Sequence, residues 1–306
     1  MINKKNKIFP FLPQEKSRSK ITYTDVRREI QVLKKQASKH LCSGGLLVFF
    51  VIIIQNIFGQ QTIIGKDSKG FSASGYFGKS FVKDETFSSV VYQGSVPAGA
   101  INYFVEKEHS LQTISAMYAA CKMSMQKNSE NILHQKMLDV NYENVFKINT
   151  SAENSTDVFL GAAVDVLYAK RNFSNFINRT SSYNLTAALA AAGRIIHDFE
   201  PADLTLTWDI QIPFFALVDR PSFDNQQAEN DFKSNSYSLS HFFKNAKAGS
   251  FGSFTRFKSV VSIDKKVTAN QFLSLSYYWD YYKFNENPTM RQASDLFGIT
   301  YKIILQ

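Results

Sequence analysis

Histidine, serine and the carboxylates are the residue types here that could do chemistry. Beyond the amino-terminal segment the histidines are His109, His134, His197 and His241. A lipid-cleaving site at a membrane rim would need a histidine that activates a serine and an asparagine that orients the histidine. The densest local grouping is SYSLSHFFK, where Ser238 and Ser240 flank His241. On an extended chain, adjacent Ser240 and His241 point to opposite faces and cannot form a dyad with each other. His109, His134 and His197 fall at or near the ends of expected strands, where solvated polar side chains are ordinary.

No HExxH pair, calcium-loop spacing or glycine-rich phosphate loop occurs, and GKDSKG at 65–70 is too short for the last and opens no helix. With Cys42 at the edge of an apolar segment and Cys121 alone in the body, neither a disulfide scaffold nor a structural zinc site is available. The sequence therefore predicts no catalytic residue, no metal ligand and no cofactor.

The elements that hold the carboxylates are more informative. From about residue 70 the chain alternates apolar with small or polar residues, the period of a strand. Leu204, Leu206, Trp208, Ile210 and Ile212 share one face; Thr205, Thr207, Asp209 and Gln211 share the other. Leu138 to Ile148 repeats this, with Asp139, Asn141, Glu143 and Lys147 opposite the apolar set. Asp165 takes the same parity in 158–168, and Asp280 takes it in 273–281, where Tyr277, Trp279 and Tyr281 lie on the other side.

Small residues on the second face do not fill the ~10 Å between the sheets of a sandwich. They suit a barrel wall with one apolar face and one polar lumen. Asp139, Asn141, Glu143, Lys147, Asp165, Thr205, Thr207, Asp209, Gln211 and Asp280 are then the expected lumen-facing polar residues. Tyr277, Trp279 and Tyr281 are expected at the membrane interface. The lumen carboxylates either tune ion passage or neutralise cations in a packed polar interior.

Composition agrees. Aromatics reach 14%, with 27 Phe and 14 Tyr, while the mean hydropathy of −0.21 excludes a bundle of membrane helices. The net charge of +9 is concentrated in a basic block within the first 40 residues, leaving the body close to neutral. That distribution, with no zinc spacing or basic recognition helix, argues against a nucleic-acid partner.

Connections alternate long and short from the carboxy terminus: long at 285–294, short at 264–268, long at 217–248, short at 198–201 and long at 170–181, then moderate near 150–155, polar at 126–132 and short at 107–110. The resulting count is ten strands between 70 and 305, an all-β, closed, antiparallel up-and-down transmembrane barrel with both termini on one side. A twelve-strand version makes 236–247 a strand and splits 87–106.

Residues 45–59, GLLVFFVIIIQNIFG, follow the basic block and read as the core of a signal peptide spanning 1–60, with 61–69 as a short periplasmic lead. This core is shorter than the ~20 residues a spanning helix requires. The 40-residue lead is long for such a signal and points to an over-extended gene start, with an uncleaved signal anchor holding a cytoplasmic helix as the alternative.

The FGQQ junction resembles the signal ends of Bacteroidetes exported proteins. The stretch FLSLSYYWDYYKFNENPTMRQASDLFGITYKIILQ resembles the closing strands of Bacteroidetes outer-membrane barrels, although it ends in Gln306 where proteobacterial barrels carry an aromatic. The resemblance implies export by the general secretion pathway, an outer-membrane location, lipid as surroundings and the barrel-assembly machinery as the biogenesis partner. It implies no reaction. The expected function is a porin-like narrow pore, a binding platform or an assembly component; the alternatives are an outer-membrane lipid hydrolase and a soluble exported β-sheet protein.

Overall fold

The computed structural model describes residues 68–85, 89–125, 128–148, 155–173, 181–199, 202–220, 239–285 and 289–305. The signal-peptide assignment falls outside them.

Alternating sequences form long strands here: β1 (Ser68–Asp84), β2 (Val91–Lys107), β3 (Ser110–Met125), β4 (Asn128–Lys147), β5 (Thr156–Phe173), β6 (Ser181–Phe199) and β7 (Leu204–Asp219). A short helix α1 (Leu239–Asn245) and a three-residue β8 (Lys247–Gly249) precede β9 (Phe254–Thr268), β10 (Gln271–Phe284) and β11 (Met290–Leu305). The long strands pair antiparallel in chain order, and β1 closes on β11 from Lys69↔Leu305 to Asp84↔Met290. Closure leaves no free sheet edge, the condition for burying a sheet in hydrocarbon.

The barrel has ten staves, because β8 and β9 share one. β7 pairs with β9 from Leu204 to Gln211 and with β8 from Ala216 to Val218. Between them residues 250–253 turn, the Ser250 carbonyl accepting from the amides of Ser253 and Phe254 at 3.1 and 2.9 Å. Opposite this break β7 carries Pro213, which has no N–H to give a ladder. There β6 meets a bulge: Leu189 pairs with Phe215 and Ala190 with Pro213, so both Phe214 and Phe215 are exposed on the outer wall.

The twelve-strand version is not what forms. Residues 239–245 are helical, and 91–107 is one unbroken strand against β1. The long–short alternation also fails at one pair of connections. Only 126–127 separate β3 from β4, whereas 148–155 separate β4 from β5. The polar stretch after residue 127, expected as a loop, enters the twenty-residue β4 and pairs with β3. Backbone pairing beyond the apolar band does not need apolar side chains.

Inside and outside follow the two-residue period. On β4, Leu133, Gln135, Met137, Asp139, Asn141, Glu143 and Val145 are buried, while Leu138, Val140 and Phe146 are exposed. Across the barrel the outward residues form an apolar band that includes Phe77, Ile101, Leu160, Leu275, Phe297 and Ile299. The interior holds two apolar clusters: a large one around Tyr92, Met123, Leu133, Phe254 and Tyr282, and a smaller one of Phe104, Leu111, Val145 and Phe159 near the end that carries both termini.

Candidate functional site

The lumen is where polar side chains converge, and they meet in three layers. In the layer nearest the long connections, Arg171 of β5 is completely buried. Its guanidinium donates to Asn184 of β6 at 2.6 Å, Gln135 of β4 at 3.2 Å and Gln292 of β11 at 3.2 Å. Asp84 of β1 lies 3.9 Å away and is also ion-paired with Arg220. Gln135 donates in turn to Gln292 at 3.2 Å. Round a ring of ten staves, β5 and β11 are five steps apart and directly opposite. One side chain therefore bridges the full width of the barrel.

In the middle layer Arg256 of β9, also fully buried, grips Asp280 of β10 through two bonds of 3.0 and 2.8 Å. The same guanidinium reaches Asp139 of β4 at 2.7 Å and pairs with Asp165 of β5. Lys258, two residues along β9, pairs with Asp139 at 2.8 Å and with Asp165. Tyr278 donates its hydroxyl to Asp280 at 3.3 Å. Charges buried this deeply persist only when paired, and the planar guanidinium can meet several carboxylates at once.

The third layer joins β6, β7 and β4. Arg194 pairs with Asp209 and, at 3.0 Å, with Glu143. Gln211 donates to Glu143 at 2.6 Å and exchanges bonds with Asn141 at 2.9 and 3.2 Å. Below it lies the smaller apolar cluster.

Asp139, Asp165 and Asp280 thus come together around one arginine, and Asn141, Glu143, Asp209 and Gln211 around another. Lys147 stands apart, paired with Asp157 at 2.7 Å near the terminal end. Thr205 is also peripheral, its hydroxyl donating to Asp198 at 2.6 Å, and Thr207 is half-buried beside them on β7. Tyr277, Trp279 and Tyr281 lie on the outer face of β10, alternating with buried Tyr278, Asp280 and Tyr282. Tyr277 donates to Asp295 at 2.9 Å, and Trp279 packs on Phe257 with ring centroids 5.1 Å apart.

No family model matches this chain. No curated protein matches it either. Among solved structures, the outer membrane protease OmpT of Escherichia coli is similar at 8% identity and a TM-score of 0.45, over 81% of this chain and 99% of that one. The translocator domain of the autotransporter NalP of Neisseria meningitidis is similar at 7% identity and a TM-score of 0.41, over 91% and 96%. Neisserial surface protein A is similar at 9% identity and a TM-score of 0.32, over 75% and 95%.

The cations that organise the layers were not singled out from sequence. Arg171 shares the parity of Asp165 on β5, and Arg256 and Lys258 share one parity on β9, so inward cations were legible there. Their partners were not.

Among the described residues there is no cluster of three or more metal-ligating side chains. His241, expected within the 217–248 connection, lies in the short helix α1; the side chains of Ser238, Ser240 and His241 lie outside the described residues. Among the described residues, His197 has hydroxyl partners, its Nδ1 lying 2.7 Å from Thr156 Oγ1 and 3.5 Å from Ser155 Oγ. Thr156 and His197 are direct cross-strand partners, and the His197 ring stacks edge-on against Phe199 at 4.4 Å. The acid or amide that orients a catalytic histidine is not among these contacts.

Proposed function

We propose that this chain is an outer-membrane barrel with a closed lumen, which works as a binding platform through its rim and outer wall and does not conduct solutes. The observation that carries this reading is the Arg171 bridge to Gln292 on the opposite wall, backed by the Arg256 and Arg194 layers beneath it. Ten-stranded barrels are narrow, and at about eight strands side chains already fill the interior. Among the described residues, three successive polar layers and an apolar cluster cross the lumen, which supports the closed reading.

The apolar band of exposed Phe, Leu, Ile and Val supports lipid as the surroundings, and long strands closed without an edge suit hydrocarbon. The same band weighs against a soluble exported protein. Assembly would run through the barrel-assembly machinery after export by the general secretion pathway.

The test is fractionation, gel migration and conductance of the chain expressed from residue 60 behind a bacterial signal. The expected result is outer-membrane fractionation, heat-modifiable migration, and planar bilayers that stay at baseline current. A steady open conductance from the folded barrel would overturn the closed-lumen reading, and detergent-free solubility would overturn the membrane one.

A further inference from the structure

Two independent features of the outer wall meet on the same three strands. The first is a group of outward cations at the long-connection end. Lys83 of β1 pairs directly with Arg291 of β11, which pairs directly with Lys283 of β10. Neighbouring strands are ~4.8 Å apart, so the three cationic side chains leave the wall side by side. Lys79 follows on β1, one turn of the alternation below Phe81. Two acids share the area: Glu85, 2.9 Å from Lys83, and Asp295, which accepts from Tyr277. Among the described residues, four cations against two carboxylates leave two positive charges on a wall otherwise turned to lipid.

The second feature is a groove of about 850 Å³ in the outer wall, lined among others by Gly75, Phe77, Lys79, Leu275, Phe297 and Ile299. Gly75 lines it without bringing a side chain to the surface. A Cβ at Gly75 would have nothing within 4 Å, so packing inside the chain does not require glycine there. Phe77, at 63% exposed, and Phe297, at 68% exposed, stand on its flank. The groove runs from Lys79 into the apolar band, away from the cation group.

We propose that this face of β10, β11 and β1 is a binding site for a multiply phosphorylated lipid of the leaflet on the long-connection side. The phosphates lie against Lys83, Lys283 and Arg291, and one acyl chain lies along the groove at Gly75. This rests on the membrane reading above. A zwitterionic headgroup carries its own cation and gains little from a surplus of two positive charges; a headgroup with two phosphates matches it. The site has the polarity order of an amphiphile, charge outermost and a furrow beneath.

The test is native mass spectrometry of the folded barrel released from detergent after equilibration with lipid A bearing two phosphates, lipid A bearing one, or phosphatidylethanolamine. The unaltered barrel should retain the bisphosphorylated lipid over the other two. Each basic side chain near a membrane surface favours an anionic lipid about fivefold, so K83Q/K283Q/R291Q should lower retention at least about tenfold, and each single Gln variant in proportion. Gly75→Phe, which fills the groove and leaves the cations in place, should lower it too. K69Q/K265Q, at the opposite end, should leave it within about twofold.

Equal retention by the triple variant and the unaltered barrel, or displacement by millimolar inorganic phosphate, would overturn the proposal. Heat-modifiable migration of each variant is followed in parallel. A barrel that migrates normally but retains no bisphosphorylated lipid refutes the site alone, whereas one that never shows heat-modifiable migration refutes the membrane reading.

Discussion

Arg171 and Gln292 stand on opposite walls of the barrel and touch across it, Nη2 to Oε1 at 3.2 Å. This contact joins strands five steps apart across the lumen and is the observation on which the proposed closed lumen rests. The same arginine holds Asn184 and Gln135, so its removal strands several buried acceptors at once. Breaking a buried charged network by deleting one partner costs about 3–5 kcal/mol.

Arg171→Met should therefore destabilise the folded barrel by that order and lower the temperature at which its gel migration shifts. It should not create conductance, because the Arg256 and Arg194 layers still close the section. Planar-bilayer recording of the folded variant checks the second half of the expectation; sustained current would show that the upper layer alone seals the lumen.

Arg256→Met leaves Asp139 and Asp165 to Lys258 and Asp280 to the Tyr278 hydroxyl, and should be the most damaging single change in the lumen, by roughly 3–5 kcal/mol. Arg256→Lys keeps the charge but loses the planar fork that grips Asp280 with two bonds, so it should recover only part of the stability. Denaturant titration of the two variants in detergent micelles measures the difference. Equal stability of both would mean that charge alone, without geometry, holds this layer.

On the outer wall the expectation reverses. Val140 is exposed at mid-strand of β4 between buried Asp139 and Asn141. Val140→Arg should cost about 2–4 kcal/mol in a bilayer, whereas Asn144→Arg on the same face, nearer the strand end, should cost about 0–1 kcal/mol. Reversible unfolding from lipid vesicles distinguishes them, and equal costs would place β4 differently in the membrane.

The junction of β1 and β11 outside the wall should respond to acid. The Thr289 hydroxyl donates to Glu85, and with Lys83 beside it the Glu85 carboxyl is held below the usual glutamate range. A depressed folded-state value stabilises above the unfolded value, near pH 4.3, and that contribution disappears as pH falls through the folded value. Thr289→Ala should raise the Glu85 titration midpoint toward 4.3, read by NMR of a labelled glutamate. No movement would assign the effect to Lys83 alone.

Much of this protein is readable along the chain because the strand repeat is local. Alternation at 138–148, 204–212 and 273–281 marked which residues face in and which face out, since successive side chains on one strand must take opposite sides. The same alternation, broken by polar connections, produced ten staves. It failed where pairing outlasted the apolar pattern, as at residues 128–133, and where one stave is interrupted between β8 and β9.

What the sequence by itself determined is the wall: strand period, parity and the apolar band. Only the tertiary structure decided what the inward side chains meet. Whether Asp139 finds Arg256, or Arg171 finds Gln292, depends on ring order and on the register accumulated over several strand pairs, and the two members of the second pair are 121 residues apart in the chain. A two-residue repeat carries no information at that distance. The register that closes β1 on β11 also sets Lys83, Arg291 and Lys283 side by side over the groove at Gly75.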